Sequence, residues 1–223
     1  MRQSPDFKKA YILANDMLVA SRCIKKFPFD AAEFVNEQTD LKFYSFKKAF
    51  EKIGLICQDL GSGSAILSKL HGKNVVFYNQ DECNMRDSFN RLHETGHFLL
   101  EHKTNLTADN PLYGIQEVET NFFTAQMLMP LQVLKEIQRR GYKVDFSFLM
   151  RNFGVSCTAA KSRIETLSKR IFLTADEKLF DDIILEKFKA FINKIASEKY
   201  ENSYYCRDDE MQEERNRWLA EGY

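Results

Sequence analysis

The chain has 223 residues, which is room for one generous domain or two small ones at about 100–200 residues each. Lys plus Arg and Asp plus Glu both total 32, so the formal net charge is zero and a global basic field for nucleic acid is excluded, though a local patch is not. With 44% hydrophobic residues, 9 Gly and 4 Pro, the chain reads as globular rather than disordered, and its 19 Phe point to an aromatic core. The five cysteines, Cys23, Cys57, Cys83, Cys157 and Cys206, are scattered, with no CxxC pair to suggest a zinc ribbon or a redox dithiol. The N-terminal stretch lacks an apolar run followed by a small-residue cleavage site, and no window reaches about 18 consecutive apolar residues. A cytoplasmic protein with reduced thiols and no membrane association is expected.

Taken in order, Asp6 to about Lys25 reads as an amphipathic helix, and Ala31–Glu37 as a second one capped by Asp30. Leu41–Phe46 fits either strand or helix. Leu55–Asp59, Ala65–Leu70 and Asn74–Asn79 are strand-like, the last two joined by a tight turn at His71-Gly72-Lys73. From Glu82 the periodicity is helical through about Lys103. Thr104–Tyr113 reads as a polar loop, Gln116–Met129 as a helix, and Pro130 opens another over Leu131–Arg140. Phe146–Phe153, Gly154 and Val155–Arg170 read as helix, turn, helix. Ala175–Tyr200 is a long helix with a phenylalanine-rich face, and a charged tail follows.

The chemistry concentrates in His93-Glu94-Thr95-Gly96-His97. On a helix, residues four apart differ by about 40° in direction, so both imidazoles leave one face and can share a metal ion at the roughly 2.0–2.1 Å that zinc prefers. Glu94 lies about 100° from His93, poorly placed to join them but able to take a proton from water activated by the metal. The bland alternative is a pair of satisfied core histidines. A catalytic zinc needs a third protein ligand. The metzincin pattern would need a glycine and a histidine where Leu100 and Lys103 stand, so that class is excluded. The segment Gln116–Met129 offers two carboxylates, Glu117 and Glu119, on a helix that Phe122, Phe123, Met127 and Leu128 mark as buried. A carboxylate there is costly unless paired or metal-bound.

The string HETGHFLLEH, followed after about 20 residues by EVETNFFTAQMLMP, resembles the ImmA/IrrE family of metallo-endopeptidases. The likeness covers roughly residues 50–170 and is sharp at those two motifs, with a further match at the FGVS turn of Phe153–Ser156. Aligning back from Met129-Pro130, the resemblance implies Glu119 as the third zinc ligand beside His93 and His97, with Glu117 the fallback and Glu94 the catalytic base. His102 stands one step beyond a position where the family often has a histidine, now Glu101, and is not implied as a ligand. The family likeness implies an α+β fold of zincin type: a small antiparallel sheet beside the HExxH helix, with a mostly helical C-terminal half. The expected divisions are an N-terminal helical segment 1–48, a catalytic core 49–130, a helix-turn-helix-like subdomain 131–172, and a C-terminal helix and tail 173–223.

It also implies a zinc-dependent endopeptidase that cuts a helix-turn-helix repressor and so releases stress-response or mobile-element genes. The alternative is a non-proteolytic regulator that binds a repressor or DNA around a structural or vestigial zinc. Residues 135–170 hold 9 basic and 3 acidic side chains, a local +6. A protein partner docking on Arg139, Arg140, Arg151 and Arg163 is favoured over direct contact with nucleic acid.

Overall fold

Short polar side chains mark the helix starts, as their preference for accepting hydrogen bonds from first-turn amides dictates. Asp6 opens α1 (Phe7–Ala20), Asp30 opens α2 (Ala31–Gln38), and Ser45 closes strand β1 (Lys42–Ser45) while capping α3 (Phe46–Ile53). The computed structural model describes residues 4–54, 64–81, 84–104, 106, 109–168 and 175–197. The expected strand Leu55–Asp59 and the charged tail fall outside these residues.

Strands β2 (Ala65–Leu70) and β3 (Lys73–Tyr78) form the expected hairpin. His71 and Gly72 both take positive φ, 50° and 78°, as a two-residue turn matched to strand twist requires. The sheet order is β1-β3-β2, with β3 antiparallel to β2 but parallel to β1. The sheet is therefore mixed rather than wholly antiparallel. The chain leaves β1 through α3, an element not among those expected, comes back in β2 running opposite to β1, and reverses again at the hairpin, so that β3 lies parallel to β1. Ambiguity at Leu41–Phe46 has the same origin, since strand gives way to helix at Ser45.

Helix α4 (Asn84–Leu99) carries the HExxH string and lies against β2 and β3. Arg91 fastens it there: its guanidinium sits 4.0 Å over the Tyr78 ring and 5.2 Å from that of Phe43, and its Nε donates to Asp87 at 2.8 Å. Helix α5 (Pro111–Leu128) crosses α4. It begins five residues before the expected Gln116, because the Asn110 side chain caps Leu112 N–H at 3.0 Å and Pro111 sits in the first turn, where its missing N–H costs nothing.

The remaining helices are α6 (Leu131–Arg139), α7 (Phe146–Phe153), α8 (Cys157–Ser168) and α9 (Ala175–Lys187), with further helical turns over 189–197. Gly154 (φ 65°) makes the turn between α7 and α8. Phe27, Phe153, Phe188 and Phe191 meet ring to ring at 4.7–5.5 Å, which places the aromatic core where α7 and the chain's last described helix converge.

Arg163 corrects one expectation. It is 1% exposed, and its guanidinium donates to the Met129 carbonyl and to Gln126. It holds the end of α5 and offers nothing to a docking partner. Beneath it, Gln126 reaches Asn15 at 2.8 Å and Gln132 at 2.9 Å, and Gln132 reaches the Tyr11 hydroxyl at 2.8 Å. Satisfied networks of this kind fix one packing, because an unpaired buried polar group is costly.

The glycine inside the motif sets how close α4 and α5 come. A Cβ on Gly96 would lie 2.8 Å from Phe123 Cδ1 and 2.9 Å from Thr120 Cγ2, both buried. Gly96→Ala should gain about 1 kcal/mol of helix propensity but lose about 1–3 kcal/mol to overpacking. Denaturant unfolding should show net destabilisation.

Candidate active site

His93 and His97 leave the same face of α4, as their spacing requires, with ring centroids 4.8 Å apart and Nε2 atoms 3.1 Å apart. The Phe89 ring stacks on His93 at 6.0 Å, limiting its rotation. From α5, the Glu117 carboxylate reaches both imidazoles: Oε2 lies 3.3 Å from His93 Nε2 and Oε1 lies 3.3 Å from His97 Nε2. A tetrahedral ion with bonds of about 2.0–2.1 Å separates its ligands by about 3.3 Å. Two imidazole nitrogens and a carboxylate at 3.1–3.3 Å spacing therefore match one face of such a coordination shell. Burial alone would raise the Glu117 carboxyl, but hydrogen bonds from His93 and His97 outweigh it and hold the group far below the usual carboxylate range.

The register implied by the resemblance placed Glu119 here, and the structure places Glu117 here instead. Two residues apart on a helix means about 200° of rotation, so one of the two carboxylates can face α4 but not both. Glu119, which the alignment back from Met129-Pro130 had implied, is the more deeply buried of the two, at 2% exposed. Its burial has another cause. Glu119 Oε2 lies 3.0 Å from His102 Nε2, and Oε1 accepts the backbone N–H of Asp6. His102 is inside the protein, not on its surface. Its Nδ1 lies 3.0 Å from His97 Nδ1 and 3.1 Å from the Thr120 hydroxyl. Burial first, then the neighbouring His97, hold the His102 imidazole below its ordinary value.

Glu94 stands apart from the three-residue set, as its angle on the helix foretold. It is 9% exposed, and its Oε2 accepts the Leu67 backbone N–H at 2.7 Å. Leu67 belongs to β2, an edge strand of the described sheet, so the sheet aims this carboxylate. No sequence signal pointed to that contact, which joins residues far apart in the chain. Tyr113 lies in the first turn of α5 rather than in a loop. The charge of Glu117 first, then burial, then the charge of Glu94 raise its phenol above the ordinary value, so it stands within reach of both carboxylates' fields.

Residues 55–165 match the profile of the IrrE N-terminal-like domain, Peptidase_M78. The chain belongs to this metallopeptidase family. No curated protein compared with the sequence matches it. The matched segment of this peptidase holds the hairpin, α4, α5 and every side chain of the site described above. It leaves out α1 and its cap, which nevertheless reach the site's surroundings: the Asp6 N–H donates to Glu119, and Lys9 Nζ donates at 2.8 Å to the carbonyl of Leu100, just past the end of α4. No helix among the described residues is long and apolar enough to cross a membrane.

If the three donors hold one ion, removing the carboxylate should empty the site. Glu117→Ala should reduce metal content from about one equivalent per chain to near zero, measured by elemental analysis after dialysis.

Proposed function

We propose that the chain is a zinc-dependent endopeptidase in which His93, His97 and Glu117 hold the metal and Glu94 is the general base. The observation that carries this reading is the separation of roles within one motif. Two imidazoles and a carboxylate converge on one point, while the carboxylate between those imidazoles in sequence is held outside the set. A purely structural site would have no use for Glu94.

Zinc, when bound, supplies Lewis acidity toward the scissile carbonyl and makes water acidic enough to lose a proton near neutral pH. The chain's own residues do the rest. The Leu67 N–H fixes Oε2 of Glu94, leaving Oε1 to take the proton and return it to the leaving amine. The Phe89 ring and the contact with His102 limit rotation of the two imidazoles.

The substrate in this reading is a helix-turn-helix repressor, in keeping with the family resemblance. The basic segment supports a docking role in reduced form. Arg163 is buried, and Arg139 and Arg140 are each bonded to Glu136, at 2.6 Å and 2.8 Å. Arg151 and Lys161 stay exposed on α7 and α8. A protein partner suits such a mixed, partly neutralised surface better than a phosphate backbone, whose binding scales with free cations.

Glu94→Gln should keep its zinc and lose peptide hydrolysis of a co-expressed candidate repressor by at least about 100-fold, since an amide cannot take the proton. Retained cleavage would remove Glu94 from the mechanism. Casein should be cut poorly, and rapid casein digestion would argue for a degradative protease.

A triple variant, Arg139→Ala, Arg140→Ala and Arg151→Ala, should slow association with the repressor, most at low salt, without changing metal content. Stopped-flow binding at two ionic strengths checks this.

A further inference from the structure

Beyond the ligands and the base, a buried chain of polar contacts runs from the far side of His97 to the start of α1. His97 Nδ1 meets His102 Nδ1 at 3.0 Å, His102 Nε2 meets Glu119 Oε2 at 3.0 Å, and Glu119 Oε1 accepts the Asp6 N–H. The His102 and Glu119 side chains are 6% and 3% exposed. None of these contacts is needed to assemble the three donors, and two buried side chains of this polarity are costly without a task.

Proton accounting gives them one. Two facing Nδ1 atoms at 3.0 Å require that one carry the hydrogen and the other accept it. The Glu119 carboxylate only accepts, so His102 must donate through Nε2–H. With that proton on Nε2, His102 turns Nδ1 toward His97, and the arrangement compatible with a metal on the other side of His97 is Nδ1–H of His97 donating to Nδ1 of His102. His97 then keeps the lone pair of Nε2, the nitrogen that faces His93 and Glu117. The Thr120 hydroxyl, 3.1 Å from His102 Nδ1 and 2.9 Å from the Gln116 carbonyl, has acceptors on both sides and can donate to the same bare nitrogen. Every step of the chain points the same way.

We infer that His102 and Glu119 are positioning residues that fix the orientation and tautomer of His97 for metal binding, with the N-terminal helix as their anchor. This rests on the metal reading above. Carboxylate–histidine partners of this kind raise the basicity of a ligand and hold its ring in place. The anchor lies outside the matched family segment, so the N-terminal helix is part of the metal site's support and not an appendage.

The test uses the full chain, labelled with nitrogen-15 and loaded with zinc. Long-range proton–nitrogen spectra should show His102 protonated on Nε2 and His97 protonated on Nδ1. Zinc affinity, measured by competition with a chromophoric chelator, should fall about 10–100-fold in Glu119→Gln and in His102→Ala. Glu119→Gln keeps the side chain's shape, and its thermal unfolding without metal reports whether the fold survives. A wild-type chain that binds zinc but carries the His102 proton on Nδ1 would overturn the relay, as would unchanged zinc affinity in both variants. A wild-type chain that takes up no zinc would overturn the metal centre itself, and the relay's role with it.

Discussion

The site depends on the close crossing of α4 and α5 at Gly96. With no Cβ at that position, Phe123 and Thr120 occupy the space a side chain would take. That contact sets the distance at which Glu117 meets the two imidazoles, and ligand geometry tolerates only a few tenths of an ångström. Gly96 stands between the two histidines in sequence, so the motif carries both the donors and the gap that lets the third donor arrive. Thr120 and Phe123 lie about one and two turns beyond Glu117, on faces that α4 covers when the helices touch.

The rest of the molecule holds those two helices in place. Beneath α4, Arg91 bridges the helix to the rings of Tyr78 and Phe43 on the sheet. At the far end of α5, Arg163, Gln126, Gln132, Asn15 and Tyr11 form a buried polar network that joins α5, α6, α8 and α1. Such a network specifies one arrangement because alternatives leave groups unpaired. The face that carries His93, His97 and Glu117 is thus braced by a sheet on one side and by helices from both ends of the chain on the other. The two carboxylates of α5 divide the work accordingly: Glu117 faces the donors, and Glu119 faces the brace.

Much of the architecture is legible in the amino-acid sequence. Helices with a strong cap or an apolar stripe, such as α1, α2 and α4, fall where periodicity and capping residues put them. The His71-Gly72 hairpin follows from local conformational preference. Where a reading missed, a non-local or competing local effect intervened. The helix α3 is only eight residues long, so its stripe of Phe46, Ala49 and Phe50 is too brief to stand out from the strand before it. The start of α5 was hidden by loop-like composition, although Asn110-Pro111 is also a helix-opening pair. The parallel pairing of β1 with β3 depends on a path through α3 and β2 that no local pattern encodes.

For the site, the sequence by itself determined the paired imidazoles and the outlying Glu94, because a helix's 100° per residue converts spacing directly into direction. It also narrowed the third donor to Glu117 or Glu119. Which carboxylate faces the donors was decided only by tertiary structure, because burial is shared by both roles and the rotation of α5 is set by packing at Phe123, Thr120 and Gly96. The partner of Glu94 on the edge strand, the burial of Arg163, and the contacts of His102 and Glu119 with the N-terminal helix belong to the same class. They join segments far apart in the chain, and a one-dimensional pattern carries no measure of that distance.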